Sequence, residues 1–354
     1  MKARKKSKEC DSEIIRGSSA VINIENTVLY AKMARTQETK GVFDALKDAL
    51  KTTTIKFIKP FPDNPDSGGF SITAFDKRTR SLIKVKIPTS TFSEYHIVPD
   101  EGTNEISVGI NVKLFTTLLK QANNTDVMTW YVDKEERDKF AFVFENRKKN
   151  LVNIKKLRLF NLQAENFKIP TTEFVCKLSI LSEDFHKYVK DSSVTSNKME
   201  ISFIDTAQTK NTIIFAADGV ASAECILTDK TDGVTIVKTN DENVDTVVRG
   251  KYELKNLCTF AKCQPFCSHV ELFLKEDYPL IIKYDIDEYG FIYLILPSDE
   301  TTVVDDDDED DEDEDDEDHK EYKAGLKRTE NAEEAYYNEM DDEEDEEEEP
   351  DEDD

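Results

Sequence analysis

The sequence predicts an α+β protein whose folded part is a duplicated unit built mainly of antiparallel sheet. Three observations lead to this fold class: many short segments in which apolar and polar residues alternate, four stretches with helical spacing, and a similarity between two parts of the chain at a fixed offset. The length of 354 residues also favours two folded domains. We expect a flexible basic arm at 1–26, domains at 27–158 and 171–298, a connector at 159–170 and a disordered acidic tail at 299–354.

Nine short segments predict strands. Each is rich in β-branched or aromatic residues, and each is bounded by Gly, Pro, Asp or Asn, which are the residues that end strands. They cover 71–74, 82–87, 140–145, 173–178, 200–204, 212–217, 270–274, 280–285 and 291–296. Strands of this length and spacing are typical of antiparallel sheet, in which short turns connect neighbouring strands.

Four stretches of about three turns each predict helices, because their apolar residues recur every three or four positions. They cover 40–51, 111–121, 182–191 and 252–263. An offset of 142 residues places the second stretch on the fourth without a gap, and Lys113, Thr117 and Lys120 then meet identical residues. The same offset takes Phe43 of the first stretch onto Phe185 of the third. This recurrence predicts an internal duplication.

The negative charge of the chain is concentrated at its C-terminal end. Residues 299–354 contain 34 Asp or Glu against 4 Lys or Arg, including unbroken acidic runs at 305–318 and 341–349. Such a segment cannot bury enough apolar surface to fold, so we expect it to be disordered. Residues 1–298 contain 43 basic and 41 acidic residues, so the folded part is nearly neutral and can present a basic face.

Each helical stretch carries two lysines away from its apolar face. Three of the pairs are seven residues apart, a spacing that returns to the same helix face with about 20° of drift, and the fourth pair is three apart. The pairs are Lys40 and Lys47, Lys113 and Lys120, Lys187 and Lys190, and Lys255 and Lys262. On any one helix, lysines opposite a core face are explained as solvated surface. Their recurrence on four helices favours a phosphate-facing surface, whose binding would be salt-dependent and independent of base sequence.

Residues that could support catalysis or hold a cofactor form no recognised pattern. The four histidines make no HxxxH pair, and neither GxGxxG nor GxxxxGK[ST] occurs. Cys258, Cys263, Cys267 and His269 could in principle surround zinc, but no CxxC element is present. We therefore expect a protein that is not an enzyme and that binds neither a metal nor a cofactor. We also expect reduced thiols and no membrane segment, since no secretory signal is recognisable and the apolar runs fall far short of the roughly 18 residues that span a bilayer.

The chain resembles the DNA sliding clamps of the proliferating cell nuclear antigen family over residues 28–297. VFDALKDAL (42–50) is similar to the first inner helix of the family, and GINVKLFTTLLKQANNTD (109–126) is similar to its second helix and following turn. The sequence KYELKNLCTFAKCQPFCSHVELFLKEDYPLIIKYDIDEYG (251–290) follows the last helix and the C-terminal hairpins. FVFE (142–145) and IIFAADG (213–219) lie where the family has the two edge strands that join subunits.

The resemblance implies the DNA clamp fold, with two similar domains per chain, antiparallel sheets outside and four short helices inside. Three chains would close head-to-tail as a homotrimeric ring, with the eight lysines facing DNA. The implied partners are double-stranded DNA, a DNA polymerase and a clamp loader. A pocket for short hydrophobic motifs of polymerases and other replication proteins would involve Phe75, Phe167, Ile169, Pro279 and the segment 294–297, which ends at Pro297. Phe167 and Ile169 lie on the connector, which could equally be an ordinary linker.

These features predict a non-enzymatic polymerase processivity factor, nuclear in location, or at a cytoplasmic viral replication site if the chain is viral. The basic arm and the acidic tail are additions to the family pattern. A different class of protein remains open at this point: a chaperone of histones or other basic proteins, in which the acidic tail would be the active part.

Overall fold

The computed structural model describes residues 22–76, 81–162, 172–239 and 244–298. The expected tail, most of the arm and most of the connector, including Phe167 and Ile169, lie outside these ranges. The described strands are β1 Thr27–Met33, β2 Thr52–Ile58, β3 Gly69–Asp76, β4 Ser81–Ile87, β5 Glu94–Ile97, β6 Glu105–Asn111, β7 Val127–Asp133, β8 Lys139–Asn146, β9 Leu151–Arg158, β10 Cys176–Leu181, β11 Lys198–Asp205, β12 Thr212–Ala217, β13 Ala223–Thr228, β14 Val234–Lys238, β15 Thr246–Glu253, β16 His269–Leu274, β17 Leu280–Ile286 and β18 Gly290–Leu296. The helices are α1 Thr36–Leu46, α2 Val112–Leu119, α3 Ser182–Thr195 and α4 Leu254–Ala261.

The two halves of the chain have the same strand order. A five-stranded sheet runs β5-β1-β7-β8-β9, and its counterpart β14-β10-β16-β17-β18 forms one part of a nine-stranded sheet. That sheet continues as β4-β3-β2-β6, whose counterpart is the four-stranded sheet β13-β12-β11-β15. All neighbours named here are antiparallel, and β18 of the second half pairs directly with β4 of the first. The predicted duplication is confirmed, and α2 and α4 have bounds that differ by the expected 142 residues.

All four helices form where the sequence predicts them, with different ends. Asn111 precedes α2 and its Oδ1 accepts a hydrogen bond from the Leu114 N–H at 2.9 Å, which satisfies a free donor of the first turn. The prediction of 40–51 for the first helix is wrong at both ends, since α1 spans Thr36–Leu46. Thr36 and Thr39 in its first turn are buried polar residues that bond their hydroxyls to backbone oxygens, so an apolar pattern does not detect them.

Each of the nine predicted strand segments overlaps a strand of the structure, although the segment 173–178 begins three residues before β10. The prediction of the two subunit-joining edges is wrong. FVFE lies in β8 and the IIFAA part of IIFAADG lies in β12, and both strands have neighbours on either side. The strands that lie at the ends of these two sheets, next to β8 and β12, are β9 and β13. The apolar residues of β8 and β12 face the core, whereas β9 and β13 carry mixed polar residues that a propensity pattern does not recognise as strand.

Trp130 of β7 is at the centre of the first half. It is fully buried, and its ring lies 5.5–6.3 Å, centroid to centroid, from five phenylalanine rings. These belong to Phe43, Phe57, Phe70, Phe115 and Phe140. The cluster joins α1 and α2 to the sheets behind them, so the helices are held in place by aromatic packing. None of the helices in the described ranges is long and apolar enough to cross a membrane.

Tyr289 joins the two halves at the turn between β17 and β18. Its side chain is fully buried, and its hydroxyl lies 2.8 Å from Thr39 Oγ1 on α1. The Thr91 hydroxyl donates to the Tyr289 carbonyl oxygen, also at 2.8 Å. Asp287 and Gly290, on either side, both have positive φ, at 40° and 148°, so the turn is shaped to insert this ring into the first half.

Replacing Tyr289 by Ala should lower the free energy of unfolding by about 3–5 kcal/mol, the usual cost of emptying a buried aromatic site. Tyr289→Phe keeps the ring and should cost only about 1 kcal/mol for the lost hydrogen bond. Phe61→Ala is the control, since Phe61 is 60% exposed and should change stability by less than about 0.5 kcal/mol. Urea unfolding measures all three. Equal midpoints for the parent and Tyr289→Ala would show that the two halves hold together without this contact.

Candidate nucleic-acid and partner-binding surfaces

The four helices form one continuous layer in the order α2, α1, α4, α3. The Thr116 hydroxyl of α2 donates to the Phe43 carbonyl oxygen of α1 at 3.2 Å. The turn after α4 approaches α1 so closely that a Cβ added to Gly41 would lie 2.1 Å from the Phe266 ring. His186 Nδ1 of α3 lies 2.9 Å from the Ala261 carbonyl oxygen of α4. Because the apolar faces of all four helices pack on the sheets, their opposite faces share one solvent-facing surface.

All eight predicted lysines lie on this layer. Six of them are exposed: Lys113, Lys120, Lys187, Lys190, Lys255 and Lys262. Lys40 and Lys47 are half-buried, and Lys40 Nζ donates to the Ala122 carbonyl oxygen at 2.8 Å and to Asn124 Oδ1 at 3.0 Å. The structure therefore brings together on one surface residues that span more than 220 positions of the chain.

Two carboxylates, Asp44 of α1 and Asp48 in the turn that follows it, engage three of these lysines. Asp44 Oδ1 lies 2.6 Å from Lys47 Nζ and 2.5 Å from Lys120 Nζ, and Asp48 Oδ2 lies 2.5 Å from Lys262 Nζ. Burial alone would raise the pKa of Asp44, but the hydrogen bonds from Lys120 and Lys47 outweigh it and lower that pKa. The sequence analysis missed this role of Asp44 and Asp48. An Asp three positions before Lys47 is a helical ion-pair spacing that could have indicated one of them.

The other four exposed lysines have no carboxylate partner among the described residues. Within the ranges that the structure describes, Lys113, Lys187, Lys190 and Lys255 form no ion pair with a carboxylate. Their ammonium groups are therefore available to an external anion. Four of the eight lysines can thus bind an external anion directly, and three are already paired with a carboxylate. The eighth, Lys40, is bonded to neutral oxygens.

A row of apolar side chains crosses the outer face of the nine-stranded sheet. The register of the strands places one residue opposite the next in the order Phe273, Ile281, Ile295, Leu82 and Phe75. Three of them, Leu82, Ile281 and Ile295, form an apolar cluster separate from the main core, against which Phe273 packs. Phe75, Leu82, Ile281 and Ile295 are buried, with 2–5% of their surface exposed, and Phe273 is half-buried, so this row is largely covered within the single chain.

Three of the predicted pocket residues lie in or next to this row, and the other two, Phe167 and Ile169, lie outside the described residues. Phe75 is in the row itself, and it is buried, with 2% of its surface exposed. Pro279 directly precedes β17 and Pro297 directly follows β18, so they lie at the same end of this hairpin, with Pro279 buried and Pro297 half-buried. The sequence analysis missed Leu82 and Ile281. The signal was present in β4 and β17, where adjacent apolar residues indicate that both faces of the strand are covered.

The four residues considered for zinc all lie in the described part of the chain. Burial raises the pKa of Cys263, and it raises the pKa of Cys267 to about 11, so both thiols stay protonated. His269 is exposed at the start of β16. No group of three or more His, Cys, Asp or Glu residues within the described part of the chain is placed to hold a metal ion.

Comparison with known proteins gives matches over both halves of the chain. Residues 28–167 match the family described as "Proliferating cell nuclear antigen, N-terminal domain", and residues 168–299 match "Proliferating cell nuclear antigen, C-terminal domain". "Proliferating cell nuclear antigen 2" of Drosophila melanogaster is 26% identical over 77% of this chain and 98% of its own length.

Two viral relatives are of comparable similarity. "Probable DNA polymerase sliding clamp" of Acanthamoeba polyphaga mimivirus is 27% identical over 66% of this chain and 48% of its own length. "Probable DNA polymerase sliding clamp 1" of Paramecium bursaria Chlorella virus 1 is 25% identical over 77% of this chain and 97% of its own length. The similarity thus extends over the helices and sheets described above.

Proposed function

Because the chain belongs to the proliferating cell nuclear antigen family, we propose that it is a DNA sliding clamp, a ring that encircles duplex DNA and keeps a polymerase at its template. The observation that carries the proposal is the layer of four helices with eight lysines, found in a chain whose two halves both match the family. The relatives give no support to the chaperone alternative. We also propose that the protein has neither a catalytic activity nor a cofactor. In this proposal residues 27–158 and 171–298 are the two clamp domains.

The lysine surface suits DNA binding that ignores sequence. Ammonium groups contact phosphate as point charges, and phosphates carry no base identity. Encirclement retains the protein on DNA, so each contact can be weak enough to exchange as the ring slides. The tethered polymerase then stays at high effective concentration near its template without a strong contact to the DNA.

We propose that the ring closes through two of the sheet edges of the chain, β9 and β13. β9 is the counterpart of β18, and β13 is the counterpart of β4, so the pairing of β18 with β4 inside the chain is a template for pairing of β9 with β13 of the next subunit. These edges differ from each other, which makes the contact head-to-tail and allows a closed ring. Both edges expose apolar side chains, namely Leu151, Val152, Ile154 and Ile226.

The strand ladders also give the register of this contact. One row crosses β7, β8 and β9 at Trp130, Phe142 and Lys155, and its counterpart crosses β16, β17 and β18 at Leu272, Ile282 and Leu294. A second row crosses β6, β2, β3 and β4 at Val108, Ile55, Ile72 and Val85. Its counterpart crosses β15, β11, β12 and β13 at Gly250, Ile201, Phe215 and Cys225. Lys155 of β9 is therefore equivalent to Leu294 of β18, and Cys225 of β13 is equivalent to Val85 of β4. Since Leu294 pairs with Ile83, the equivalent contact pairs Lys155 with Ala223, and Val152 with Ile226.

Native mass is the experiment that tests the function first. The chain has a mass of 40.5 kDa, and a species of three chains supports the clamp, whereas a monomer or a pentamer would favour a chaperone. A second measurement tests encirclement: the trimer loaded by its clamp loader should stay on circular DNA and leave when the circle is cut. The compartment we propose is the nucleus, or a viral replication site for a viral chain.

The connector should contribute to the partner pocket together with the apolar row. Replacing both Phe167 and Ile169 by Ser should weaken the binding of hydrophobic polymerase peptides by a few kcal/mol, because apolar anchors dominate such sites. The trimer should remain intact. Peptide titration by calorimetry measures the change, and Phe61→Ser is the control for an exposed aromatic elsewhere. Unchanged peptide affinity would remove the connector from the site.

The acidic tail should compete with DNA for the lysines. Its net charge of about −30 lies on the same chain as the basic layer, so its local concentration is high. Truncation after Ser298 should raise the affinity for linear duplex DNA at low ionic strength, with a difference that shrinks as salt screens the charges. Binding curves at a series of salt concentrations measure this effect. Identical curves for both proteins would assign the tail to other partners.

A further inference from the structure

Asp44 of α1 and Asp48 in the turn that follows it lie at the centre of the basic layer. Because α1 is between α2 and α4, Asp44 reaches Lys47 at the end of its own helix and Lys120 at the end of α2, and Asp48 reaches Lys262 at the end of α4. The Asp48 contact joins the two halves of the chain across 214 positions. Both carboxylates are partly exposed, at 42% and 38%, so they face the same solvent as the lysines.

We propose that Asp44 and Asp48 limit the affinity of the ring for DNA by holding Lys47, Lys120 and Lys262, so that each of these lysines must leave a carboxylate to bind a phosphate. The proposal rests on the sliding-clamp function and deepens it. It divides the lysines into four that bind phosphate directly and three that do so only by exchange. Asp44 and Asp48 act through the lysines and are positioning residues.

The exchange has a clear physical basis. An ion pair at an exposed surface is worth only a small free energy, so a phosphate can displace the carboxylate. The carboxylate is fixed to the helix and stays close to the incoming phosphate, where like charges repel within the Debye length of about 8–10 Å. Each contact made by exchange is therefore weaker than one made by Lys187 or Lys255. Weak contacts in the middle of the layer favour sliding over arrest at one position.

The test uses the full-length trimer and a fluorescent 30-base-pair duplex of mixed sequence. Asp44→Asn with Asp48→Asn keeps the side-chain shape and removes two negative charges. We expect affinity at about 0.1 M salt to rise about fivefold or more, since one exposed pair accounts for up to about fivefold. The plot of log affinity against log salt should steepen by about 0.9 for each lysine that gains a phosphate contact.

Two controls separate local release from a general charge effect. Asp100→Asn with Glu136→Gln changes the net charge equally, but these residues pair with Arg137, Lys139 and Lys156, away from the helical layer, and should leave affinity nearly unchanged. Adding Lys47→Gln, Lys120→Gln and Lys262→Gln to the Asp variant should abolish its gain. An equal gain in the charge control, or a gain that persists without the three lysines, overturns the proposal. If no variant and not even the parent binds DNA in a salt-dependent way, the sliding-clamp function itself fails, which is a distinct result.

Discussion

Placing lysine at both Val152 and Ile226 is expected to convert the trimer into monomers. In the inferred contact these side chains lie directly opposite each other on β9 of one subunit and β13 of the next, where like charges destabilise an antiparallel pair. Both are exposed in the single chain, at 41% and 58%, so the monomer should remain folded. Sedimentation should show one chain instead of three, and loading onto circular DNA should be lost altogether, because an open subunit cannot encircle a duplex.

The design also tests the register. Val152→Glu with Ile226→Lys puts opposite charges at the same positions and should restore part of the trimer, whereas Val98→Lys, at a valine of similar exposure outside both strands, should leave it intact. Cysteines at 152 and 226, with Cys225→Ser to remove the native thiol, should link subunits under mild oxidation. Linkage of 154 with 226 in preference to 152 with 226 would show a shifted register, and a stable trimer of the double-lysine variant would exclude these edges.

Replacing Lys113, Lys187, Lys190 and Lys255 by Gln should lower the affinity for duplex DNA at least about a hundredfold near physiological salt. These four have no carboxylate partner among the described residues, and each lost phosphate contact should flatten the salt slope by about 0.9, summed over three subunits. The loss should be equal for unrelated sequences, because phosphates are the same in all of them. Fluorescence anisotropy with two duplexes of different composition measures both effects.

The matched control changes four lysines outside the helices, namely Lys59, Lys134, Lys210 and Lys230, all of which are exposed. This variant has the same net charge as the first one, so a general electrostatic effect would weaken both equally. A much larger loss for the helical set assigns binding to the layer. Equal losses of DNA affinity in both variants, or parental affinity in the helical variant, would show that the helical lysines are ordinary solvated surface residues.

The sequence by itself determined the architecture of each half. Apolar alternation indicated the buried strands, helical spacing indicated α1 to α4, and the offset of 142 residues indicated the duplication. The lysines could be found for the same reason, since a residue opposite an apolar stripe must face solvent wherever the helix packs. These features are local, being set by backbone geometry and by the burial of one face over a few turns.

Only the tertiary structure decided which elements meet. The start of α1 depends on Thr39 and Tyr289, which are 250 positions apart, and the capture of Lys262 by Asp48 depends on contact between the two halves. The strand order places β9 and β13 at the ends of their sheets, and the register of the strands lines up the apolar row through Ile295. Such pairings are decided by the total free energy of long-range packing, because several strands could pair with each neighbour. A short segment of sequence does not include the residues of the competing strands, so it cannot predict which pairing is the most stable.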